Sequence, residues 1–160
     1  MTLRRAVPGD ADGIAQIILP VIAAGETYAL EAHMTREAAL AYWMGPDRQT
    51  FVAEQGGEIL GTYYLRANQA GGGGHVCNCG YMTRASASGR GVARRMCEHS
   101  LAHAREQGFR AMQFNFVVST NVRAVGLWHS LGFETVGRLP RAFAHPRQGL
   151  VDALVMHREL

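Results

Sequence analysis

The segment Ser88–Arg95, which reads Ser-Gly-Arg-Gly-Val-Ala-Arg-Arg, constrains the fold of this chain more than any other segment. It lies between a stretch of strand character and an amphipathic helical pattern, and two glycines remove side chains from the turn between them. Backbone N–H groups can therefore approach a bound group closely, and the following helix adds aligned amides and its positive dipole end. Arg94 and Arg95 fall in the first helical turn, where a cation is disfavoured by roughly 0.3–1 kcal/mol unless an anion binds there. The segment predicts a phosphate-binding turn.

Composition limits the partners of the chain. Residues 1–160 form one predicted domain, because no linker or change of composition divides them. The net charge of +3 suits an anionic ligand, but the arginines form no dense basic stripe, so we expect no nucleic-acid partner. No apolar run of about 18 residues predicts a membrane span. The three cysteines, an odd and small number, and an N-terminus without a signal-like apolar core favour reduced thiols and a cytoplasmic protein.

Hydrophobic periodicity and turn residues predict the element order β-α-α-β-β-β-α-β-α-β-β. Strands are expected at residues 3–7, 50–54, 58–66, 75–83, 111–118, 134–138 and 150–156. Helices are expected from a cap at Asp10 to about residue 24, from a cap at Thr35 to about residue 45, at 92–107 and at 121–131. This order is typical of a single mixed α/β sheet with helices on its faces.

Two motifs resemble those of a known family. Ser88-Gly89-Arg90-Gly91-Val92-Ala93 resembles the acetyl-CoA signature Gln/Arg-x-x-Gly-x-Gly/Ala of the GCN5-related N-acetyltransferases (GNAT). Residues 121–133 resemble their second motif, Asn-x-x-Ala-x-x-Leu-Tyr-x-x-x-Gly-Phe. The element order matches that fold over nearly the whole chain. The resemblance implies an α/β fold with a mixed, mostly antiparallel sheet, splayed between the fourth and fifth strands, and helices on both faces.

The same resemblance implies acetyl-CoA as co-substrate. The pantetheine arm would pair with backbone near Met82 and Arg84 in the split, and the diphosphate would lie on the amides of the glycine turn. Asn121 would bind the cofactor arm or an ordered water. The cofactor-binding residues implied in this way are Met82, Thr83, Arg84, Gly89, Arg90, Gly91, Val92, Ala93, Arg94, Asn121 and Trp128.

Two positions depart from the family pattern. Ser88 stands where the family has Gln or Arg, which removes one long donor near the phosphates, although backbone amides would still bind them. Trp128 stands where the family has the Tyr that is commonly proposed to protonate the CoA thiolate. An indole N–H donates a hydrogen bond but is not a usable acid, so the proton donor stays open: water, the attacking amine or another residue.

Acetyl transfer to an amine needs a neutral amine, donors for the thioester oxygen, and close placement of the two reactants. The strand at 75–83 contains no Asp or Glu, so Glu26, in the loop before the second helix, is the candidate acid–base group. A solvated loop carboxylate is an equal alternative for Glu26. Backbone N–H near Met82 is the candidate donor to the thioester oxygen.

Asn115 lies between Phe114 and Phe116 in an apolar strand, where a buried, unpaired amide would cost roughly 1–3 kcal/mol. We therefore expect Asn115 to contact a ligand in the split, with an internal hydrogen bond as the alternative, and Asn78 in the facing strand follows the same argument. The predicted acceptor-binding residues are Glu26, Thr27, Tyr28, Tyr64, Asn78, Asn115 and His145, and the predicted catalytic residues are Glu26, Asn115 and Met82. His75, Cys77 and Cys79 share one strand face but lack a fourth ligand, so we predict no metal site.

The resulting hypothesis is an acetyl-CoA-dependent N-acetyltransferase. It would acetylate a small-molecule or amino-acid-like amine by direct attack in a ternary complex, since the tail at 139–156 resembles the family branch that acetylates small amines. A protein or peptide N-acetyltransferase and a CoA-binding regulatory module without chemistry remain as alternatives. The family also implies a homodimer.

Overall fold

The computed structural model describes all 160 residues as seven strands and four α-helices, in the predicted order. The strands are β1 (Thr2–Arg5), β2 (Gln49–Gln55), β3 (Glu58–Ala67), β4 (Val76–Thr83), β5 (Ala111–Val118), β6 (Glu134–His145) and β7 (Gly149–Glu159). The helices are α1 (Ala11–Ala24), α2 (Arg36–Trp43), α3 (Val92–Glu106) and α4 (Val122–Ser130).

One sheet contains all seven strands in the order β1-β2-β3-β4-β5-β7-β6. Every neighbouring pair is antiparallel except β4 and β5, which run parallel and are paired only at Val76–Ala111 and Cys77–Met112. Beyond that point the two strands diverge. The predicted mixed, mostly antiparallel sheet, splayed between its fourth and fifth strands, is confirmed.

The helices cover both faces of the sheet, as predicted. α3 and α4 pack on one face over a cluster that includes Tyr63, Met96 and Phe133, all buried. α1 and α2 pack on the other face, where the buried side chains include Ile18 and Trp43. Two apolar layers therefore hold the sheet between them and fix the position of the opening between β4 and β5.

Two local predictions need correction. Asp10 precedes α1 but does not cap it: its carboxylate accepts a hydrogen bond from the Val7 N–H at 2.8 Å and pairs with Arg4 at 2.8 Å. The last two strands are also longer than predicted. β6 is an edge strand with a mostly exposed face, and its pairing with β7 shifts register between Leu139 and Phe143, so it lacks the alternation that identifies a strand.

The Thr35 cap is confirmed, because its hydroxyl accepts a hydrogen bond from the Ala38 N–H at 3.1 Å. None of the four helices combines the length and the apolar character that crossing a membrane would require.

Candidate active site

The opening between β4 and β5 exposes the main-chain groups of every second residue of β4. Arg84 N–H donates to the Leu60 carbonyl and the Val76 carbonyl accepts from Asn68, so even-numbered residues of β4 pair with β3. Main-chain groups alternate in direction along an antiparallel strand, so the odd-numbered residues direct theirs towards β5. Tyr81 and Thr83 lie beyond the last β4–β5 pair, and their main-chain groups therefore face the opening.

This alternation corrects two predictions for the cofactor site. The main-chain groups of Met82 face Thr62 of β3, and its side chain is buried against the α1 side of the sheet. Met82 therefore cannot offer its N–H to a thioester in the opening, and the N–H groups of Tyr81 and Thr83 are the available donors. The Arg84 N–H is also unavailable to the pantetheine arm, because it donates to the Leu60 carbonyl at 2.8 Å, and the Arg84 Nε donates to the Ile59 carbonyl at 2.8 Å.

The glycine turn has the geometry of an anion-binding site. Gly89 and Gly91 have φ values of +79° and +78°, in the left-handed region that favours glycine. The first turn of α3 carries no side-chain cap. Within residues 88–95, the main-chain N–H groups without a hydrogen-bond partner in the protein are those of Gly89, Gly91, Val92, Ala93 and Arg94. Five free donors at a helix N-terminus are the geometry that a diphosphate would need, and binding of a diphosphate here stays a prediction.

Arg123, the second residue of α4, brings a guanidinium group to this turn. Its Nη1 lies 3.4 Å from the Ser88 hydroxyl, and a Cβ added at Gly89 would come within 3.6 Å of its Nη2. Arg123 therefore supplies from a second helix the long donor that Ser88 lacks. Nothing in the sequence singles out this residue, because only the fold brings it next to the turn. Arg90, by contrast, is exposed and lies outside both cavities described next.

Two connected cavities extend from the turn into the opening of the sheet. The smaller, about 430 Å³, is lined by the glycine turn and the start of α4. The larger, about 520 Å³, extends along the opening to the α1–α2 loop. The residues that line both cavities are Tyr81, Thr83, Ser88, Asn121, Ala124 and Trp128. A long, narrow ligand could thus lie continuously from the turn to the opening.

Asn121 and Trp128 occupy the junction of the two cavities, as expected for cofactor contacts. Asn121 precedes α4 without capping it through its side chain, which leaves the amide free. Trp128 is buried and packs against Tyr81 and Phe114, with ring centroids 5.1 and 5.2 Å apart. The Tyr81 hydroxyl bonds to Ser100 at 2.7 Å, and burial raises its pKa well above the usual value, so it does not replace the missing acid.

The larger cavity brings together most of the predicted acceptor residues: Thr27, Tyr28, Tyr64, Asn78 and Asn115. The Tyr28 hydroxyl donates to the Tyr81 carbonyl at 2.9 Å, which ties the α1–α2 loop to the edge of β4. Burial raises the pKa of Tyr28 well above its usual value, so this hydroxyl stays protonated and remains a donor.

The two asparagines differ from what the sequence suggested. Asn115 is exposed rather than buried: its amide donates to Asn68 at 2.6 Å and accepts from Gln113 at 2.9 Å. The prediction of a buried catalytic amide at this position is therefore wrong, although Asn115 still borders the cavity. Asn78 is buried, and its Nδ2 donates to the Gln113 carbonyl at 2.9 Å, where the β4–β5 pairing ends. This bond makes Asn78 the residue that closes the apex of the opening.

Glu26 and His145 lie beside the larger cavity but do not line it. The Glu26 carboxylate pairs with Arg147 at 2.5 Å, which lowers its pKa below the usual value and makes it a poor base. The predicted free acid–base group is thus held in an ion pair. His145 is buried, and its Nδ1 accepts from the Arg147 and Gln148 N–H groups at 3.2 Å. It shapes the β6–β7 turn that carries Arg147.

The structure brings no three His, Cys, Asp or Glu side chains close enough together to hold a metal ion. The three cysteines are buried and unpaired, and burial raises the pKa of Cys97 to about 12.

Comparisons with known proteins agree on one family. A model of the acetyltransferase (GNAT) family matches residues 20–133. The N-acetyltransferase aca1 of Schizosaccharomyces pombe is 28% identical over an alignment of 148 residues that covers 82% of this chain and 71% of that protein. The structure of a GCN5-related N-acetyltransferase from Kribbella flavida is 43% identical, covers 99% of this chain and 97% of its own, and gives a TM-score of 0.95. The structure of yncA from Salmonella typhimurium, solved with acetyl-CoA, is 21% identical with a TM-score of 0.87 over 100% of this chain and 94% of its own, and shows the fold alone.

Proposed function

We propose, starting from the fact that this chain belongs to the acetyltransferase (GNAT) family, that it is an acetyl-CoA-dependent N-acetyltransferase acting on a small-molecule or amino-acid-like amine. The acetyl group would pass directly from thioester to amine while both molecules are bound. The observation that carries the proposal is the pair of connected cavities. The smaller cavity lies at the turn with five free amides, and the larger extends along the opening to the α1–α2 loop, where an acceptor could bind.

The cofactor side of this site is built from main-chain donors. The amides at the start of α3, with Arg123 beside them, would bind the diphosphate. The Tyr81 and Thr83 N–H groups, which face the opening, would donate to the thioester oxygen as negative charge develops on it. Bound acetyl-CoA supplies the activated carbonyl, so the protein has to provide placement and these donors rather than a nucleophile of its own.

No carboxylate on β4 is available to accept or donate the protons that the reaction moves. The attacking amine must lose a proton, and the departing sulfur must gain one. Because Trp128 is not an acid and Glu26 is paired with Arg147, we propose that water in the cavity takes the proton from the amine and supplies one to the departing thiolate. The Tyr28 hydroxyl, which donates its proton to the Tyr81 carbonyl, would accept a hydrogen bond from the amine and so help to position the acceptor.

A small acceptor is favoured over a protein substrate because the acceptor side is confined. The α1–α2 loop, tied to β4 through Tyr28, forms one wall of the 520 Å³ cavity. The Glu26–Arg147 ion pair joins this loop to the β6–β7 turn. A peptide substrate would need an extended open groove in their place.

Assembly and location are further parts of the proposal. β6 forms an unpaired edge of the sheet and exposes Val136 and Leu139, at 59% and 39% of their surface, and such an edge suits pairing with a second copy of the chain. Light scattering of the purified protein would show a dimer, whereas a monomer at high concentration would contradict the pairing. The three buried free thiols are compatible with a reducing cytoplasm.

The test is release of free CoA from acetyl-CoA in the presence of a panel of small amines, amino acids and peptides. The chain contains no lysine, so its one amine is the N-terminus, and thiol release without an acceptor should be low. We expect turnover with at least one small amine. Tight acetyl-CoA binding without turnover on any acceptor would favour a regulatory module, and turnover on peptides alone would favour a protein acetyltransferase.

A further inference from the structure

Two tyrosines and two arginines form a cluster at one wall of the larger cavity. This arginine–tyrosine cluster consists of Tyr42 from α2, Arg48 from the α2–β2 turn, and Tyr64 and Arg66 from β3. The Arg48 guanidinium lies 3.9 Å from the ring centroid of Tyr42 and 4.4 Å from that of Tyr64. Three members, Tyr42, Tyr64 and Arg66, line the cavity directly.

The cluster contains buried hydrogen-bond donors without acceptors. The Arg48 side chain is 8% exposed, and its Nε and Nη1 are fully enclosed without a hydrogen-bond partner. The Arg66 Nε is enclosed and unpaired in the same way. Buried guanidinium donors are almost always paired, because leaving a charged group unsatisfied costs more than leaving a neutral one. No group of the protein accepts a hydrogen bond from these donors, so the positive charge of the two guanidinium groups is poorly compensated at this wall.

The charge of the cluster is also unbalanced. Its one acidic neighbour is Asp47, whose carboxylate lies 3.5 Å from Arg48 and 3.5 Å from Arg66, at the outer limit of a hydrogen bond. Asp47 is 60% exposed, so solvent weakens both contacts. One carboxylate facing two guanidinium groups leaves an excess of one positive charge at the cavity wall.

The position of the cluster relates this charge to the reaction. Tyr64 lies over Gly80 of β4, where an added Cβ would come within 2.7 Å of its ring. Arg66 is paired in register with Asn78, the residue that closes the apex of the opening. The cluster therefore stands on the acceptor side of the sheet, one strand away from the place where a thioester would be attacked.

From these observations we propose that the arginine–tyrosine cluster binds a carboxylate group of the acceptor, so that the substrate is an amine that also carries a carboxylate. The proposal rests on the proposed acetyltransferase function and adds the group by which the acceptor is recognised. Arg66, whose side chain lines the cavity, would contact the carboxylate directly, and Arg48, held against the two aromatic rings behind the cavity wall, would add its positive charge. The amine of the same molecule would then point along Tyr64 towards the opening.

The first experiment compares matched pairs of acceptors on the wild-type protein, such as L-methionine with L-methioninamide and others of the same kind. The amide has the less basic amine, so without carboxylate recognition it would be the better acceptor, because more of it is neutral. We expect the acid to be preferred in kcat/KM by about 10–100-fold, as for a charged hydrogen-bonded pair in a confined site. Equal use of the two, or a preference for the amide across the panel, would overturn the proposal.

The second experiment uses Arg66→Gln and Arg48→Gln, with Arg110→Gln as the control that removes the same charge from an exposed site just before β5. Each cluster variant should raise KM for the acid about tenfold or more, and leave kcat and the use of the amide within about threefold. The control should change neither. A cluster variant that keeps the wild-type unfolding temperature and affects acid and amide equally would show that these arginines do not recognise the carboxylate.

Acetyl-CoA binding, measured by calorimetry on the same proteins, separates this proposal from the proposed function. Wild type and variants should bind acetyl-CoA equally, since the cluster lies outside the cofactor turn. Binding and turnover without a preference for carboxylate would overturn the inference and leave the acetyltransferase function standing. Failure to bind acetyl-CoA would instead overturn the proposed function itself.

Discussion

At the scale of single residues, Arg123 decides how strongly the glycine turn can attract a diphosphate. Backbone amides provide direction, but a guanidinium group adds a full charge and a fork of donors. In this chain the charge comes from α4 instead of from the turn, and Arg123 reaches the Ser88 hydroxyl at 3.4 Å. The side chain is exposed, so its contribution is moderate and depends on salt.

We predict that Arg123→Gln weakens CoA binding by about 3–10-fold, with a smaller effect at high salt, because one charge beside the phosphates is removed. Calorimetric titration with CoA measures the change. Arg105→Gln is the control, because it removes an equal charge about 20 Å along α3. Equal affinities of wild type and Arg123→Gln at low salt would show that the amides bind the diphosphate alone.

At the scale of elements, α3 both binds the cofactor and holds the sheet. Its N-terminus carries the free amides, while two histidines one turn apart face β2 and β3 from its side. The His99 Nδ1 and the Tyr63 hydroxyl share a hydrogen bond of 2.6 Å, and the His103 Nε2 contacts the Gln49 Oε1 of β2 at 2.8 Å. Burial lowers the pKa of both imidazoles, with a further lowering of the His99 pKa from His103 and an opposing effect from Glu106 on both.

The lowered pKa values predict a pH dependence of stability. The unfolded chain takes up protons near the ordinary value of 6.5, whereas the folded chain does so only at lower pH, so the free energy of unfolding falls as the pH drops below about 6.5. Urea unfolding at pH 8 and pH 5.5 measures the loss. His99→Gln should reduce it, and His33→Gln, on an exposed loop, should not. If the free energy of unfolding falls equally in wild type, His99→Gln and His33→Gln, groups other than His99 cause the pH dependence.

α4 contains a glycine that its geometry does not require. Gly126 lies in the middle of the helix, and an added Cβ would meet no atom within 4 Å. Gly126→Ala should therefore stabilise the protein by about 0.5–1 kcal/mol and raise the unfolding temperature by about 1–4 °C, which calorimetry detects. Gly61→Ala makes the contrast, since its Cβ would lie 2.8 Å from Val92. A lower unfolding temperature for Gly126→Ala would contradict the account.

The helices and strands could be predicted well from this sequence, but which residues of a strand face the opening could not. Apolar spacing identified α1 to its last residue and the glycine turn before α3. Which main-chain groups of β4 face the opening depends on its pairing with β3. The sequence therefore predicts the Met82 N–H as donor to the thioester oxygen, whereas the N–H groups of Tyr81 and Thr83 face the opening. A register shift in β5 between Phe114 and Val117 likewise left Asn115 exposed.

Contacts between distant segments were the other limit of the sequence. Nothing in the sequence distinguishes Arg48 and Arg123 from the other arginines, because only the fold brings them to aromatic rings and to the glycine turn. Glu26 was identified as a notable carboxylate, but its partner Arg147 lies in a turn far along the chain.

At the scale of the whole molecule, the Glu26–Arg147 pair joins the first and last parts of the fold beside the cavity. The α1–α2 loop carries Thr27 and Tyr28 into the cavity wall, and the β6–β7 turn is shaped by the buried His145. This 2.5 Å ion pair therefore positions the loop, rather than acting as a base on the substrate.

We predict that Glu26→Gln and Arg147→Gln raise KM for the acceptor by similar factors, about 2–10-fold, and change kcat by less, because both release the same loop. Steady-state kinetics with the preferred amine measures both constants. If Glu26→Gln lowers kcat more than about 100-fold while Arg147→Gln does not, Glu26 acts as the base after all.

The central claim is that the glycine turn and the opening between β4 and β5 bind acetyl-CoA through main-chain amides. A titration of the labelled protein with acetyl-CoA, followed by amide chemical shifts, tests it most directly. The account predicts saturable 1:1 binding with the largest shifts at Gly89, Gly91 and Val92–Arg94, and at Tyr81 and Thr83. No saturable change up to millimolar acetyl-CoA, or shifts confined to another surface, would contradict it.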